Sequence, residues 1–256
     1  MFPYLAQPEL QLGPVTITAF QICVFAAVIV GFELVVRRAA RLGWEKNLAL
    51  DLVLWGIGCG FVGSHFFDVI AYQSDAMRAR PLLLLEVWGS MSSFGGLLGG
   101  MLGLAVVARR KGLSARRVGE FFDVVAFAFP FAWIFGRAGC ALAHDHIGVE
   151  TSSLLAVRFP DGPRFDLGLL ELLWTLVIAA LFVALDRKPR PSGFFPALFF
   201  VLYGPVRFAL DTLRTGDERW LGWTAGQYLS LAATAAGGAL LVRVLRAGET
   251  RPALPS

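Results

Sequence analysis

Apolar residues gather in runs of about twenty along the whole chain, broken by short polar stretches, and about twenty apolar residues suffice for a helix to cross a bilayer. Seven such runs lie at about 14–36, 48–72, 93–108, 121–137, 166–185, 194–213 and 223–245. They predict an all-α polytopic membrane protein of seven transmembrane helices, with a loop region on the outer side. The third run is the shortest and is rich in glycine. Residues 1–256 read as a single integral membrane domain with no soluble appendage. Composition agrees: 56% of the residues are hydrophobic and 16% charged, against roughly 25% charged in ordinary soluble domains. The first run has no basic residue before it and is followed by further spans, which predicts a retained helix and not a cleaved leader.

The formal net charge of +4 would suit an acidic partner in a soluble protein, but in a membrane protein the placement of Lys and Arg carries the information. One set of connections holds Arg37, Arg38, Arg41, Lys46, Arg109, Arg110, Lys111, Arg116, Arg117, Arg187, Lys188, Arg190, Arg243, Arg246 and Arg251. The alternate set holds only Arg78, Arg80, Arg158, Arg164, Arg214 and Arg219. The positive-inside rule then places the N-terminus outside and the C-terminus in the cytoplasm, and no nucleic-acid partner is expected. Cys23, Cys59 and Cys140 lie in or beside apolar runs without CxxC spacing, so neither a disulfide framework nor a zinc site is indicated.

Two basic residues remain, Arg137 and Arg207, each at or inside the outer end of a span. An arginine near hydrocarbon costs about 2.5–3.5 kcal/mol at mid-helix and is retained where it has a partner or a function. Arg207, Asp211 and Arg214 fall at i, i+4 and i+7, on one helical face. This is either an intrahelical ion pair or, with Arg137, a pair of guanidiniums able to grip a phosphate; in a bilayer the abundant phosphates belong to lipid headgroups. His144, Asp145 and His146 follow Arg137 in the stretch "GRAGCALAHDHIG" and supply candidate acid–base groups. An isolated HxH offers too few ligands for a tetrahedral metal site, so no metal and no cofactor is expected. Gly95 and Gly96, in "SFGGLLGG", have two readings, close helix packing or bare backbone beside a headgroup. His65 with Asp68 reads as a satisfied pair, while Glu171 and Asp123 read as interfacial or N-terminal helix charges, Glu171 ranking higher because it follows the charged outer loop.

The motifs carrying these charges resemble the prolipoprotein diacylglyceryl transferases, bacterial inner-membrane enzymes, over about residues 10–245. Gly136-Arg137-Ala138-Gly139 through Gly148 resembles the family's Gly-Arg-x-Gly block. Tyr203, Gly204, Arg207, Phe208, Asp211, Arg214 and Asp217 resemble its second block. The runs at 95–100, 107–113 and 225–231 are weaker echoes. The resemblance implies seven spans, a cell inner-membrane location, and transfer of the diacylglyceryl group of phosphatidylglycerol to the lipobox cysteine of a preprolipoprotein. On that footing Arg137 and Arg207 hold and stabilise the lipid phosphate, with Arg214, Gly95, Gly96, Gly148, Tyr203 and Asp211 forming the rest of the substrate site. Asp145, His144 and His146 are then the proton-transfer candidates. The sequence departs from the family at several positions: Phe94 stands where a catalytic histidine is usual, Cys140 and Ala143 where asparagines are, Asp145 for a glutamate, Phe20 for a tyrosine, and Arg164-Phe165-Asp166 for a histidine-bearing motif. Two explanations stay open, relocated proton transfer through His144 or His146 with Asp145, or a paralogue that kept the lipid pocket and changed the reaction. A transporter fits less well, because the notable charges gather at one side instead of running through the bilayer.

Overall fold

The computed structural model describes residues 1–13, 15–86, 91–216 and 219–249; Asp217 and Arg251, which the sequence reading used, lie outside the described residues. Among the described residues the long helices are α1 (Ala19–Arg41), α2 (Lys46–Tyr72), α4 (Ser93–Arg110), α5 (Ala115–Ala143), α6 (Leu167–Leu185), α7 (Phe194–Thr212) and α8 (Ala225–Glu249), with a short α3 (Ser74–Ala79) and a 3₁₀ turn (Pro81–Leu85) after α2. All but α4 of the long helices are long and apolar enough to cross a membrane, six in all. The all-α membrane fold is therefore present. Its surface is apolar as lipid requires: Ile22, Phe25, Val28 and Ile29 of α1 are all exposed.

Two places differ from the sequence reading. Residues 15–18, inside the first apolar run, are extended: β2 (Glu9–Leu12) and β3 (Val15–Thr18) form an antiparallel hairpin, and α1 starts only at Ala19. The connection between α5 and α6, read as a loop, contains β4 (Ile147–Glu150), β5 (Val157–Phe159) and β6 (Gly162–Asp166), which join β1 (Phe2–Pro3) in a four-stranded sheet of order β1-β5-β6-β4. Strands of two to five residues are too short for a period-2 pattern to stand out.

The chain divides into two compact units, Met1–Gly31 with Val125–Ser256, and Phe32–Val124. In the second unit α2 and α4 pack through glycine. A Cβ on Gly99 would lie 2.5 Å from the Cys59 carbonyl oxygen, one on Gly103 2.5 Å from Cys59 Cβ, and one on Gly63 2.8 Å from the Gly95 carbonyl oxygen. Since lipid tails are as apolar as leucine, helices in a bilayer gain from this kind of backbone-to-backbone approach. Ser64 Oγ reinforces the seam by donating to the Ser92 carbonyl (2.9 Å), and Ser92 N–H donates back to the Ser64 carbonyl (3.1 Å).

The first unit carries an aromatic core, with Ile178, Phe182, Phe194, Phe195, Phe199 and Val244 buried together from α6, α7 and α8. Gly204 sits where any Cβ would strike Thr234 and the Ser230 carbonyl, so α7 and α8 touch closely just before Arg207. At the other approach, a Cβ on Gly168 would meet Ala141 N at 2.9 Å and Cys140 Cβ at 3.0 Å. That contact brings the first turn of α6 against the last turns of α5. The C-terminal ends of α5 and α7 and the N-terminal ends of α6 and α8 thus supply the polar groups of one cluster.

Candidate active site

The centre of that cluster is Glu171, only 1% exposed on the second turn of α6. Its Oε1 accepts from Arg207 Nη1, and its Oε2 accepts from the Tyr203 hydroxyl and pairs with Arg137 Nε at 3.0 Å. Arg207 extends the chain of charge to Asp211 (Nη2 to Oδ1, 2.9 Å), whose Oδ2 accepts from Thr224 Oγ1 at 2.9 Å. Arg137 and Arg207 are 4% and 7% exposed and Asp211 1%. Ions this deeply buried persist only when paired and hydrogen-bonded, and each carboxylate here holds at least one guanidinium.

Local sequence explains the positions. Tyr203, Arg207 and Asp211 recur every fourth residue on α7, one face of the helix. Thr224 is the residue before α8, and Thr224 with Gln227 makes a reciprocal cap: Gln227 N–H donates to Thr224 Oγ1 (3.1 Å), and Thr224 N–H donates to Gln227 Oε1 (3.0 Å), the arrangement a T-x-x-Q sequence favours at a helix start. Gly226 leaves the space that Asp211 and the Arg207 guanidinium fill. Around Arg137, the Trp133 ring lies under the guanidinium at 4.4 Å, a cation–π contact, and Trp133 Nε1 donates to the Tyr203 oxygen at 3.1 Å.

α5 stops at Ala143, and His144 follows with φ +51°. That left-handed turn reverses the chain and sends the two histidines different ways. His144 faces Asp166 (Nδ1 to Oδ2, 2.5 Å) and the Leu5 carbonyl (Nε2, 3.0 Å), stacked on Tyr4 at 4.7 Å and edge-on to Phe159. Both its ring nitrogens are engaged, in a clasp between the N-terminal segment and the start of α6. His146 instead bonds Asp145 (Nδ1 to Oδ1, 2.5 Å), and one donor atom each of Cys140, Asp145 and His146 lies within 4.8 Å of the others. Cys140 Sγ is in turn 3.8 Å from Arg137 Nη1.

The two carboxylates of this turn respond oppositely to their surroundings. Burial works to raise the Asp145 pKa, but the bond from His146, then the Cys140 thiol and the Arg137 charge, hold it below the ordinary carboxylate value. Burial dominates at Asp166 and pushes it up, with His144 and the Leu169 N–H resisting. Beside the clasp lies an apolar cavity of ≈ 330 Å³, walled on one side by Ala138, Ala141 and Leu142 of α5 and on the other by Leu169 and Leu172 of α6. His144 and Asp166 are its titratable lining.

Of the residues the sequence nominated, the fold gathers Arg137, Arg207, Tyr203 and Asp211, with Asp145 and His146 adjoining. Arg214 lies just past α7, where its backbone bridges to Gly148 of β4. Gly148 is buried, and a Cβ there would meet Leu213 O at 3.2 Å. Gly95 and Gly96 belong to the other unit. Gly95 is buried against Gly63 and Phe67 of α2, and Gly96 faces Gly60 and Ser64, which are packing contacts. Glu171, whose sequence reading is an interfacial or N-terminal helix charge ranked above Asp123, is the hub; its signal is a carboxylate inside a helix of mean hydropathy 2.3. Thr224 and Trp133 went unread. At the departures from the resembled pattern, Phe94 is half-buried in the first turn of α4, Phe20 packs against Gly139 (3.1 Å to a Cβ placed there), and Arg164 pairs with Glu150 (2.8 Å) and Asp161 (3.1 Å).

The model of the family described as prolipoprotein diacylglyceryl transferase matches residues 8–243. The chain is similar to the phosphatidylglycerol–prolipoprotein diacylglyceryl transferase of Pseudomonas paraeruginosa, 33% identical over 98% of both chains. It is likewise similar to proteins of that name from Nitratidesulfovibrio vulgaris, 32% identical over 97% of both chains, and from Mannheimia succiniciproducens, 32% identical over 90% of this chain and 87% of the relative.

Proposed function

Because the chain belongs to the prolipoprotein diacylglyceryl transferase family, we propose that it moves the diacylglyceryl group of phosphatidylglycerol to the thiol of a lipobox cysteine in a preprolipoprotein. It does so as a multi-pass protein of the bacterial inner membrane, with seven spans including α4, the N-terminus outside and the C-terminus in the cytoplasm. The basic last turns of α1, α4 and α8 support that orientation, since helices alternating in direction put these three ends on one side. The observation that carries the activity is the convergence of Arg137 and Arg207 on one buried carboxylate in a chain with near full-length relatives of that name.

Each guanidinium has five N–H donors. Glu171 and Asp211 fix their positions, and part of each donor set turns to the lipid phosphate, with Arg214 adding charge at the end of α7. In the reaction the substrate sulfur attacks the glyceryl carbon that bears the phosphate oxygen. The S–C bond forms, the C–O bond breaks, and its electron pair leaves on glycerol phosphate. Arg137 and Arg207 stabilise the charge that grows there. The thiolate is the nucleophile, and the thiol proton passes to His146 Nε2, whose Nδ1 is held by Asp145. The clasp, which engages both ring nitrogens of His144, supports His146 over His144 in that role.

Purified protein, phosphatidylglycerol and a lipobox peptide, followed by mass spectrometry, test the proposal. A mass gain of one diacylglyceryl group is expected, abolished by Arg137→Ala in a variant that stays folded. His146→Gln should slow it about 10²–10⁴-fold, and His144→Gln much less. Full activity of Arg137→Ala overturns the site, and full activity of His146→Gln and Asp145→Asn overturns the acid–base assignment. Phe94, at the position of the family's usual histidine, favours a second reading, a paralogue that binds phospholipid without this transfer or with another acceptor. Retained phosphatidylglycerol binding with no mass gain would establish that one.

A further inference from the structure

We propose that Cys140, Asp145 and His146 form a binding site for a zinc-class divalent metal ion. One donor atom of each lies within 4.8 Å of the others, although an isolated HxH in the sequence pointed away from metal. The fold supplies the missing ligand: the left-handed turn at His144 lays Asp145 and His146 back over the last turn of α5, where Cys140 sits. A thiolate, an imidazole and a carboxylate are the three donor types zinc takes, with S, N and O at roughly 2.3, 2.0 and 2.0 Å from the metal. Ligands around one such ion stand about 3–4 Å apart, so they need move by about 1 Å.

Access and charge also fit. The Asp145 side chain is 38% exposed and that of His146 17%, which leaves a path in from solvent and an open coordination position for water, the pattern of three protein ligands plus one exchangeable one. Binding puts the metal on His146 Nδ1 in place of its proton, which moves to Nε2, and the Cys140 thiol releases its proton to solvent. The thiolate and the carboxylate then match the two positive charges of the ion. Arg137, 3.8 Å from the sulfur, is the unfavourable neighbour, but Glu171 pairs with it at 3.0 Å. The assignment stands on ligand geometry; because it shares Asp145 and His146 with the transfer chemistry proposed above, a bound ion and proton uptake at His146 Nε2 exclude one another.

The test uses the full chain in detergent, stripped of metal and titrated with Co²⁺. Expected are a near-ultraviolet thiolate-to-cobalt charge-transfer band, visible bands of low-coordinate cobalt, about one proton released from the thiol per ion, and displacement by Zn²⁺. Cys140→Asn should abolish the charge-transfer band and weaken binding by more than about 100-fold, beyond what loss of an outer contact costs. His146→Gln should weaken binding while keeping the band, and Cys23→Ala and Cys59→Ala should leave it unchanged. Absence of the band in the unaltered chain, its survival in Cys140→Asn, or its loss in Cys23→Ala or Cys59→Ala would each overturn the proposal.

Discussion

Replacing Glu171 with glutamine tests the hub directly. The side chain keeps its shape, but one oxygen becomes an amide that presents donors to the Arg137, Arg207 and Tyr203 donors facing it. Breaking a buried ion pair from one side costs about 3–5 kcal/mol. Arg207 retains Asp211 at 2.9 Å, so the loss falls mainly on Arg137, and the lower end, about 3 kcal/mol, is expected. For a chain of this length that corresponds to a melting temperature lower by roughly 6–12 °C. Arg137→Met alone should cost less, because Glu171 still holds Arg207 and Tyr203. The double variant Glu171→Gln/Arg137→Met should be more stable than Glu171→Gln alone, since it removes the uncompensated charge. Thermal unfolding in detergent, followed by tryptophan fluorescence, measures all three. A Glu171→Gln protein within about 0.5 kcal/mol of the parent, the range of ordinary surface substitutions, would refute the reasoning, as would a double variant no more stable than Glu171→Gln alone.

Two further outcomes follow from the geometry. Gly99→Ala places a Cβ 2.5 Å from the Cys59 carbonyl and should lower the melting temperature sharply, whereas Gly58→Ala, with nothing within 4 Å, should gain about 0.5–1 kcal/mol from helix propensity. For pH, Asp145 is held below its ordinary value. Its contribution to stability is present above about pH 4 and fades as pH falls toward the folded value. Asp166 is raised, so its contribution is full below about pH 4 and fades as pH rises through the folded value. Melting curves between pH 3 and 7 should therefore show Asp145→Asn losing most at the neutral end, and Asp166→Asn, which keeps the helix cap, losing most at the acid end. Parallel curves for both variants would contradict the assignment.

Hydropathy alone located the long helices, because a bilayer demands long uninterrupted apolar segments and nothing else in a chain resembles them. Arg137 and Arg207 were legible for the same reason in reverse: charge stands out against such a background. Glu171 stands out equally, yet near a helix start a carboxylate also has an ordinary role, and only the convergence of α5, α6 and α7 distinguishes the two. His144 and His146 are two residues apart in the sequence, yet His144 faces Asp166 and Leu5 while His146 bonds Asp145 beside Cys140. No local pattern encodes that separation, since the partners of His144 lie 22 and 139 residues away in the chain. The glycines of α4 carried both of their readings in sequence; the partner surface on α2 is what gives Gly95, Gly99 and Gly103 their packing contacts.

The clasp at His144 also has a bearing on time. Phe2 aligns with Val157 in the sheet, and the Leu5 carbonyl meets a side chain 139 residues away. A ribosome adding about 5–20 residues per second delivers that partner many seconds after Leu5 is made. Until then residues 2–5 have neither the sheet edge nor the imidazole to rest on. Residues 2–5 thus settle late, and their docking reports that α5, the strand region and the start of α6 have already found one another.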